Sequence, residues 1–132
     1  MNKEELNKKA FEGLKHAYAP YSKYQVGACV LTKDGKYFLG CNIENAAYPS
    51  GVCGERVAVF NAYANGYNKD SIEAIAIVTS GKRIGTPCGM CRQALSELLN
   101  ADTPIILSNG EDEMITNISE LLPYNFSSED LD

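Results

Sequence analysis

Two short stretches of this chain carry residue types that do chemistry, at spacings that let them act together. They are Cys53-Gly54-Glu55 and Pro87-Cys88-Gly89-Met90-Cys91. Three thiolates can hold a zinc ion and leave its fourth tetrahedral position to water, which distinguishes a catalytic zinc site from a closed structural one. Glu55, two residues after the first thiol, is a carboxylate positioned to move the protons of that water.

Spacing sets the local backbone that this chemistry requires. Residues three apart on a helix are about 300° apart around its axis, so Cys88 and Cys91 share one face. Residues two apart are about 200° apart, so Cys53 and Glu55 diverge within a regular helix. They can face one ion only if Cys53 precedes the helix in non-helical backbone. Pro49, Ser50 and Gly51 come just before it, and the apolar stripe begins just after Glu55. Pro87 stands in the same relation to Cys88. Both stretches are therefore predicted to open helices, whose free N–H groups favour thiolates. Three thiolates leave a zinc site negatively charged, and Arg56 is next to Glu55, placed to hydrogen-bond one of them.

Simpler uses of these residues exist. A Cys-x-x-Cys pair alone is also a redox pair or half of a structural zinc knot. Cys29 and Cys41 fall in predicted strands as small buried hydrophobes; either would have to reach across the sheet to close a four-cysteine site. The single histidine, His16, lies on the first helix as a surface or packing residue.

The elements that position these groups follow from periodicity. Leu6, Ala10, Leu14, Ala17 and Tyr18 form one stripe and predict a helix over residues 3–19, stopped by Pro20. An apolar run over 25–32 and a second strand over 37–42 flank Lys33-Asp34-Gly35-Lys36, a tight hairpin turn. Residues 43–52 read as a loop. A helix over 53–64 follows, then a strand over 73–79, a loop over 82–87 and a helix over 88–99. Strands at 104–108 and 113–116, a short helix at 118–122 and an acidic tail complete the chain. This alternation predicts one mixed sheet with helices packed on its faces, and one domain over residues 1–132.

Composition narrows the partners. The chain has 132 residues and a formal net charge of −5, and its basic residues are scattered. That argues against a nucleic-acid polymer, which is bound through clustered Lys and Arg. No apolar stretch approaches the roughly 20 residues that span a bilayer, and the N-terminus carries no signal-peptide core. The expected compartment is the cytoplasm, where five cysteines serve metals or catalysis before disulfides. Phe126, alone in a polar tail, needs a surface to cover it.

Cys-x-Glu followed by Pro-Cys-x-x-Cys resembles the zinc-dependent nucleoside and nucleobase deaminases. The three-cysteine version is similar to the small, free-nucleoside cytidine deaminases. Tyr18-Ala-Pro-Tyr-Ser-Lys-Tyr24, Gly40-Cys-Asn-Ile-Glu-Asn-Ala46, Pro87-Cys-Gly-Met-Cys-Arg-Gln93 and Glu120-Leu-Leu-Pro-Tyr-Asn-Phe-Ser-Ser-Glu-Asp130 extend the resemblance over essentially the whole chain. It implies an α/β fold with three layers (α/β/α) around a mixed five-stranded sheet. It also implies zinc on Cys53, Cys88 and Cys91, Glu55 as proton shuttle, and hydrolysis of cytidine and deoxycytidine to uridine and deoxyuridine in pyrimidine salvage.

For the substrate, the resemblance implies Asn42 and Glu44 on the ribose 3′-hydroxyl, Tyr24 near the pyrimidine and the Gly54 N–H on its O2. The Thr86 carbonyl is matched to the leaving ammonia, and Tyr48 and Phe126 to residues lining a neighbouring subunit's site in a homotetramer. Two positions depart from the family's usual pattern: Gly54 stands where Ala is common, and Tyr24 where Phe is common. Other open readings are a deaminase of another cytosine-bearing small molecule and a non-catalytic zinc module.

Overall fold

The computed structural model describes all 132 residues. In chain order the elements are α1 (Lys3–Leu14), β1 (Val26–Thr32), β2 (Tyr37–Cys41), α2 (Gly54–Ala64) and β3 (Ile72–Thr79). They are followed by α3 (Gly89–Leu98), β4 (Ile105–Ser108), β5 (Glu113–Thr116) and α4 (Ile118–Leu121). The five strands form one sheet in the order β2-β1-β3-β4-β5. Only β3 and β4 run parallel, and α3 supplies their crossover; the other pairs are antiparallel.

Helices cover both faces of the sheet, so the central strands read as continuous apolar runs rather than alternating ones. On one face Cys29, Leu31, Ala74, Ala76, Val78 and Ile106 pack against Leu6 and Ala10 of α1. On the other, Ala28, Val30, Ile75, Ile77, Ile105 and Leu107 pack against Ala58, Val59 and Ala62 of α2, with Leu95, Leu99 and Ile118 beside them. This is the expected mixed five-stranded α/β architecture.

Two glycines decide local geometry. Gly35, at φ +89°, takes the left-handed position of the predicted Asp-Gly hairpin turn. Gly40 of β2 lies against the backbone of Ala58 and Gly54, where a Cβ has no room. The start of α2 therefore rests directly on β2.

The first helix is shorter than its apolar stripe suggests. It ends at Leu14, and Pro20 is not what stops it. After Leu14 the chain tightens, His16 N–H bonding to the Gly13 carbonyl and Ala17 N–H to that of Leu14. It then runs out to pair with the end of β2: Tyr18 N–H donates to the Asn42 carbonyl (2.9 Å) and Glu44 N–H to that of Tyr18 (2.8 Å). Tertiary pairing overrides helical periodicity here.

Candidate functional site

The chain leaves β2 at Cys41 and is carried to the thiols by a miniature sheet that periodicity did not predict. Ile43 bridges Tyr18 on one side and Val52 on the other, with reciprocal Ile43–Val52 hydrogen bonds of 3.0 Å. This delivers Cys53 beside Asn42 and Glu44. Cys53 is in extended backbone (φ −79°, ψ 153°) and α2 starts at Gly54. Cys88 is likewise extended (φ −65°, ψ 168°) ahead of α3, with Cys91 in the first turn. Neither helix start has a side-chain cap, so its first N–H groups remain available to negative charge.

The sulfurs of Cys53, Cys88 and Cys91 all lie within 4.8 Å of one another, and Cys53 and Cys88 are 4.0 Å apart. Tetrahedral coordination with zinc–sulfur bonds of about 2.3 Å puts sulfurs about 3.8 Å apart, so the donor set fits zinc. All five cysteines are free thiols. Cys29, in the α1-facing core, and Cys41, in β2, are not in the cluster. The three thiols thus leave a fourth position with no protein ligand.

Electrostatics follow from burial and packing. The Cys91 thiol, together with Arg56 and Cys88, pulls Cys53 down to about 5, against the opposing effect of burial. Cys91 is pushed up correspondingly by Cys53, by burial and by the nearby Glu55 charge. Metal binding removes the remaining thiol protons. Burial would lower the Arg56 pKa, but the Cys91 and Cys53 thiols beside it outweigh that effect and hold the guanidinium charged. Its Nε is buried without a partner. Glu55 is 4% exposed; burial pushes its carboxyl above the ordinary range, and the Cys53 charge adds to that.

Cys53, Cys88 and Arg56 line an open cleft of about 510 Å³ together with Asn42, Glu44 and Tyr48, a volume typical of small-molecule sites. Asn42 serves as a strand-end tie: its Oδ1 accepts from Val26 N–H (2.9 Å) and its Nδ2 donates to the Tyr24 carbonyl (2.8 Å). The Glu44 carboxylate accepts from the N–H groups of Tyr21 (3.0 Å) and Ser22 (3.1 Å) and from the Ser22 hydroxyl. Those bonds, the Ser22 hydroxyl first, hold its carboxyl below the usual range.

Tyr24 and Thr86 line a neighbouring hollow formed with residues 81–85. The Tyr24 phenol lies over Gly81 and Gly85. Gly54 is buried, and a Cβ there would come 3.0 Å from the Val26 carbonyl and 3.2 Å from the Cys41 Cα. Tyr48 is 74% exposed on the cleft of its own chain, edge-on to Tyr21 at 6.0 Å. Phe126 does not line that cleft; it sits beside Ser96 and Glu97 of α3, and its carbonyl accepts from Gln93 (2.9 Å).

Sequence reasoning missed Tyr21, Ser22 and Met90, which also line the cleft. Tyr21 and Ser22 lie within a segment singled out for Tyr24, and Met90 lies between the paired cysteines; no charge or metal-ligand signal marked them. Arg92 was also missed. Its guanidinium bonds to Thr86, Pro87 and Leu121.

Comparison with known proteins agrees with this geometry. The family description "Cytidine and deoxycytidylate deaminase zinc-binding region" matches residues 1–106. A cytidine deaminase of Halalkalibacterium halodurans is 47% identical over 133 residues, covering 99% of this chain and 98% of the relative. One from Sporosarcina psychrophila is 41% identical over 132 residues, covering 99% and 96%. The crystal structure of cytidine deaminase from Burkholderia pseudomallei superposes with a TM-score of 0.91 at 41% identity, covering 96% of this chain and all of that one. The match spans both helix starts that carry the thiols, and the chain belongs to the cytidine and deoxycytidylate deaminase family.

Proposed function

We propose that this protein hydrolyses cytidine and deoxycytidine to uridine and deoxyuridine, releasing ammonia, and so serves pyrimidine salvage. The observation that carries the reading is the three-thiol cluster with Glu55 buried behind it, beside a cleft that also holds Asn42 and Glu44. Cys53, Cys88 and Cys91 hold one zinc ion. When bound, that ion acts as a Lewis acid and brings the pKa of a coordinated water toward neutrality.

The protein's own groups supply the rest. Glu55 takes a proton from the attacking water and delivers it to N3 of the cytosine ring, which makes C4 electrophilic. It then carries the second proton to the departing amine. Oxygen is added at C4 and the C–N bond breaks, so cytidine plus water gives uridine plus ammonia. Burial supports this double role, because a carboxyl raised above its ordinary range holds a proton more readily and can return it. Arg56 offsets the negative charge of the thiolates. Asn42 and Glu44 recognise the ribose, Tyr24 packs near the pyrimidine, the Gly54 N–H meets O2, and the Thr86 carbonyl receives the departing ammonia.

The reading extends to one domain over the chain, acting as a cytoplasmic homotetramer on free nucleosides rather than on a nucleic-acid polymer. Tyr48 and Phe126, 74% and 57% exposed, are aromatic groups with the reach to complete a neighbour's cleft. No helix is long and apolar enough to cross a membrane. Ammonia release from cytidine, deoxycytidine, cytosine and adenosine, with light scattering for mass, tests the reading. Turnover of both cytosine nucleosides by a tetramer is expected; activity on cytosine or adenosine alone overturns the substrate assignment.

A further inference from the structure

The loop between β3 and α3 has almost no hydrogen bonding of its own. From Lys82 to Pro87 no backbone N–H or C=O takes part in a backbone–backbone hydrogen bond, and Pro87 has no N–H to give. Two hydrogen bonds reach this stretch, and Arg92 donates both. Its Nε bonds the Pro87 carbonyl (2.7 Å) and its Nη2 the Thr86 hydroxyl (2.9 Å). The third nitrogen, Nη1, donates to the Leu121 carbonyl (2.8 Å) at the end of α4. That short helix is anchored in the core by Ile118, only 4% exposed.

The guanidinium is therefore fixed on one side to the core and grips the loop on the other. Thr86 Oγ1 and the Pro87 carbonyl bracket the Thr86–Pro87 peptide, and the proline ring fixes φ between them. With both ends held, that peptide plane has little freedom to rotate. The next residue is Cys88.

We propose that Arg92 is a positioning residue of the deamination reaction, holding the Thr86 carbonyl and the Cys88 thiol in fixed relation to each other. The proposal rests on the deaminase reading above for its kinetic consequence, but its mechanical content does not. A planar fork bonding in three directions is the property that Arg has and Lys lacks.

The test compares Arg92→Ala and Arg92→Lys with the wild-type protein, all loaded with zinc. Steady-state kinetics on cytidine, zinc release to a chromophoric chelator and thermal melting are measured for each. For both variants kcat is expected to fall about 10- to 100-fold, the scale of a small misplacement, with KM much less affected. Zinc release is expected to quicken. Guanidinium chloride below denaturing concentration is expected to restore part of both losses in Arg92→Ala, and equal sodium chloride is not.

Normal kcat and normal zinc release in either variant overturn the proposal. So does a loss that follows the melting temperature alone without guanidinium rescue. If Arg92→Ala does not fold, Arg92→Lys, which keeps the charge and stem, decides the matter on the same readouts. If the wild-type protein leaves cytidine untouched, the deaminase reading fails, and the positioning claim stands or falls on zinc release alone.

Discussion

The sulfurs of Cys53 and Cys88 lie 4.0 Å apart, although 35 residues separate them in the chain. Each thiol is the last extended residue before a helix, and the two helices pack side by side on one face of the sheet. Their N-termini converge on a common point. The fold thus concentrates three thiols where two sets of free N–H groups already favour negative charge.

Glu55 is the only proton carrier in the proposed reaction. Glu55→Gln preserves size and removes the titratable group, so zinc content is expected to stay near one per chain. Meanwhile kcat is expected to fall by about 10²- to 10⁴-fold or more. Metal analysis alongside ammonia release checks both halves. Near-normal turnover in the zinc-loaded variant would remove Glu55 from the mechanism.

The Arg56 guanidinium and the thiols of Cys91 and Cys53 favour each other's charged forms. Arg56→Ala is expected to weaken zinc affinity by about 10- to 100-fold, as loss of a ligand's supporting partner does. Competition with a chelator reads the affinity, and a melting curve of the folded protein gives the control. Unchanged affinity and unchanged rate would mean that the thiolates need no such compensation.

Zinc removal is expected to change which thiols react. Cys29 is fully buried and pushed up to about 12 by that burial, so it stays unreactive in the folded protein. In chelated protein Cys53, lowered to about 5, and the exposed Cys88 are expected to alkylate first. Mass spectrometry of labelled peptides, with and without zinc, measures the order. Equal labelling of Cys53 and Cys88 in both states contradicts metal ligation by those residues.

Acid stability has a defined sign. Three carboxylates sit below their ordinary values: Glu44 through Ser22, Asp34 through Thr32 and Tyr67, and Glu113 through Lys3 and Asn7. Each is more acidic folded than unfolded, so its contribution is complete above the ordinary values of 4.5 for Glu and 3.8 for Asp. It is lost as pH falls through the lower folded values. The melting temperature is therefore expected to fall progressively below about pH 5. Glu113→Gln, which removes the titratable charge from the 2.6 Å pair with Lys3 between α1 and β5, is expected to flatten part of that fall. An unchanged acid limb would rule Glu113 out as a contributor.

Gly40 has backbone of Ala58 and Gly54 where a Cβ would stand. Gly40→Ala is expected to cost about 1–3 kcal/mol by overpacking, read from urea denaturation. Because α2 carries Cys53 at its start, zinc release is expected to quicken with it. A neutral substitution would mean that α2 lifts from β2 without strain.

The sequence by itself determined the parts whose physics is local. Cys53 and Glu55, two residues apart, can serve one site only across a helix boundary, and Pro49 to Gly51 supply that boundary. The Asp34-Gly35 turn and the apolar runs of β1 and β3 were legible for the same reason: turn chemistry and two-sided burial are written in neighbouring residues. The tertiary structure decided what depends on distant backbone. It ended α1 at Leu14 because Tyr18 pairs with Asn42 and Glu44, and it tied the Asn42 amide to Tyr24 and Val26. It also turned the Tyr24 phenol into the hollow beside Thr86 and gave Arg92 its grip on a loop with no hydrogen bonds of its own. Such contacts join residues far apart in the chain, mostly through a main-chain carbonyl or N–H group at one end, which nearly every residue type possesses, so no residue type or spacing announces them.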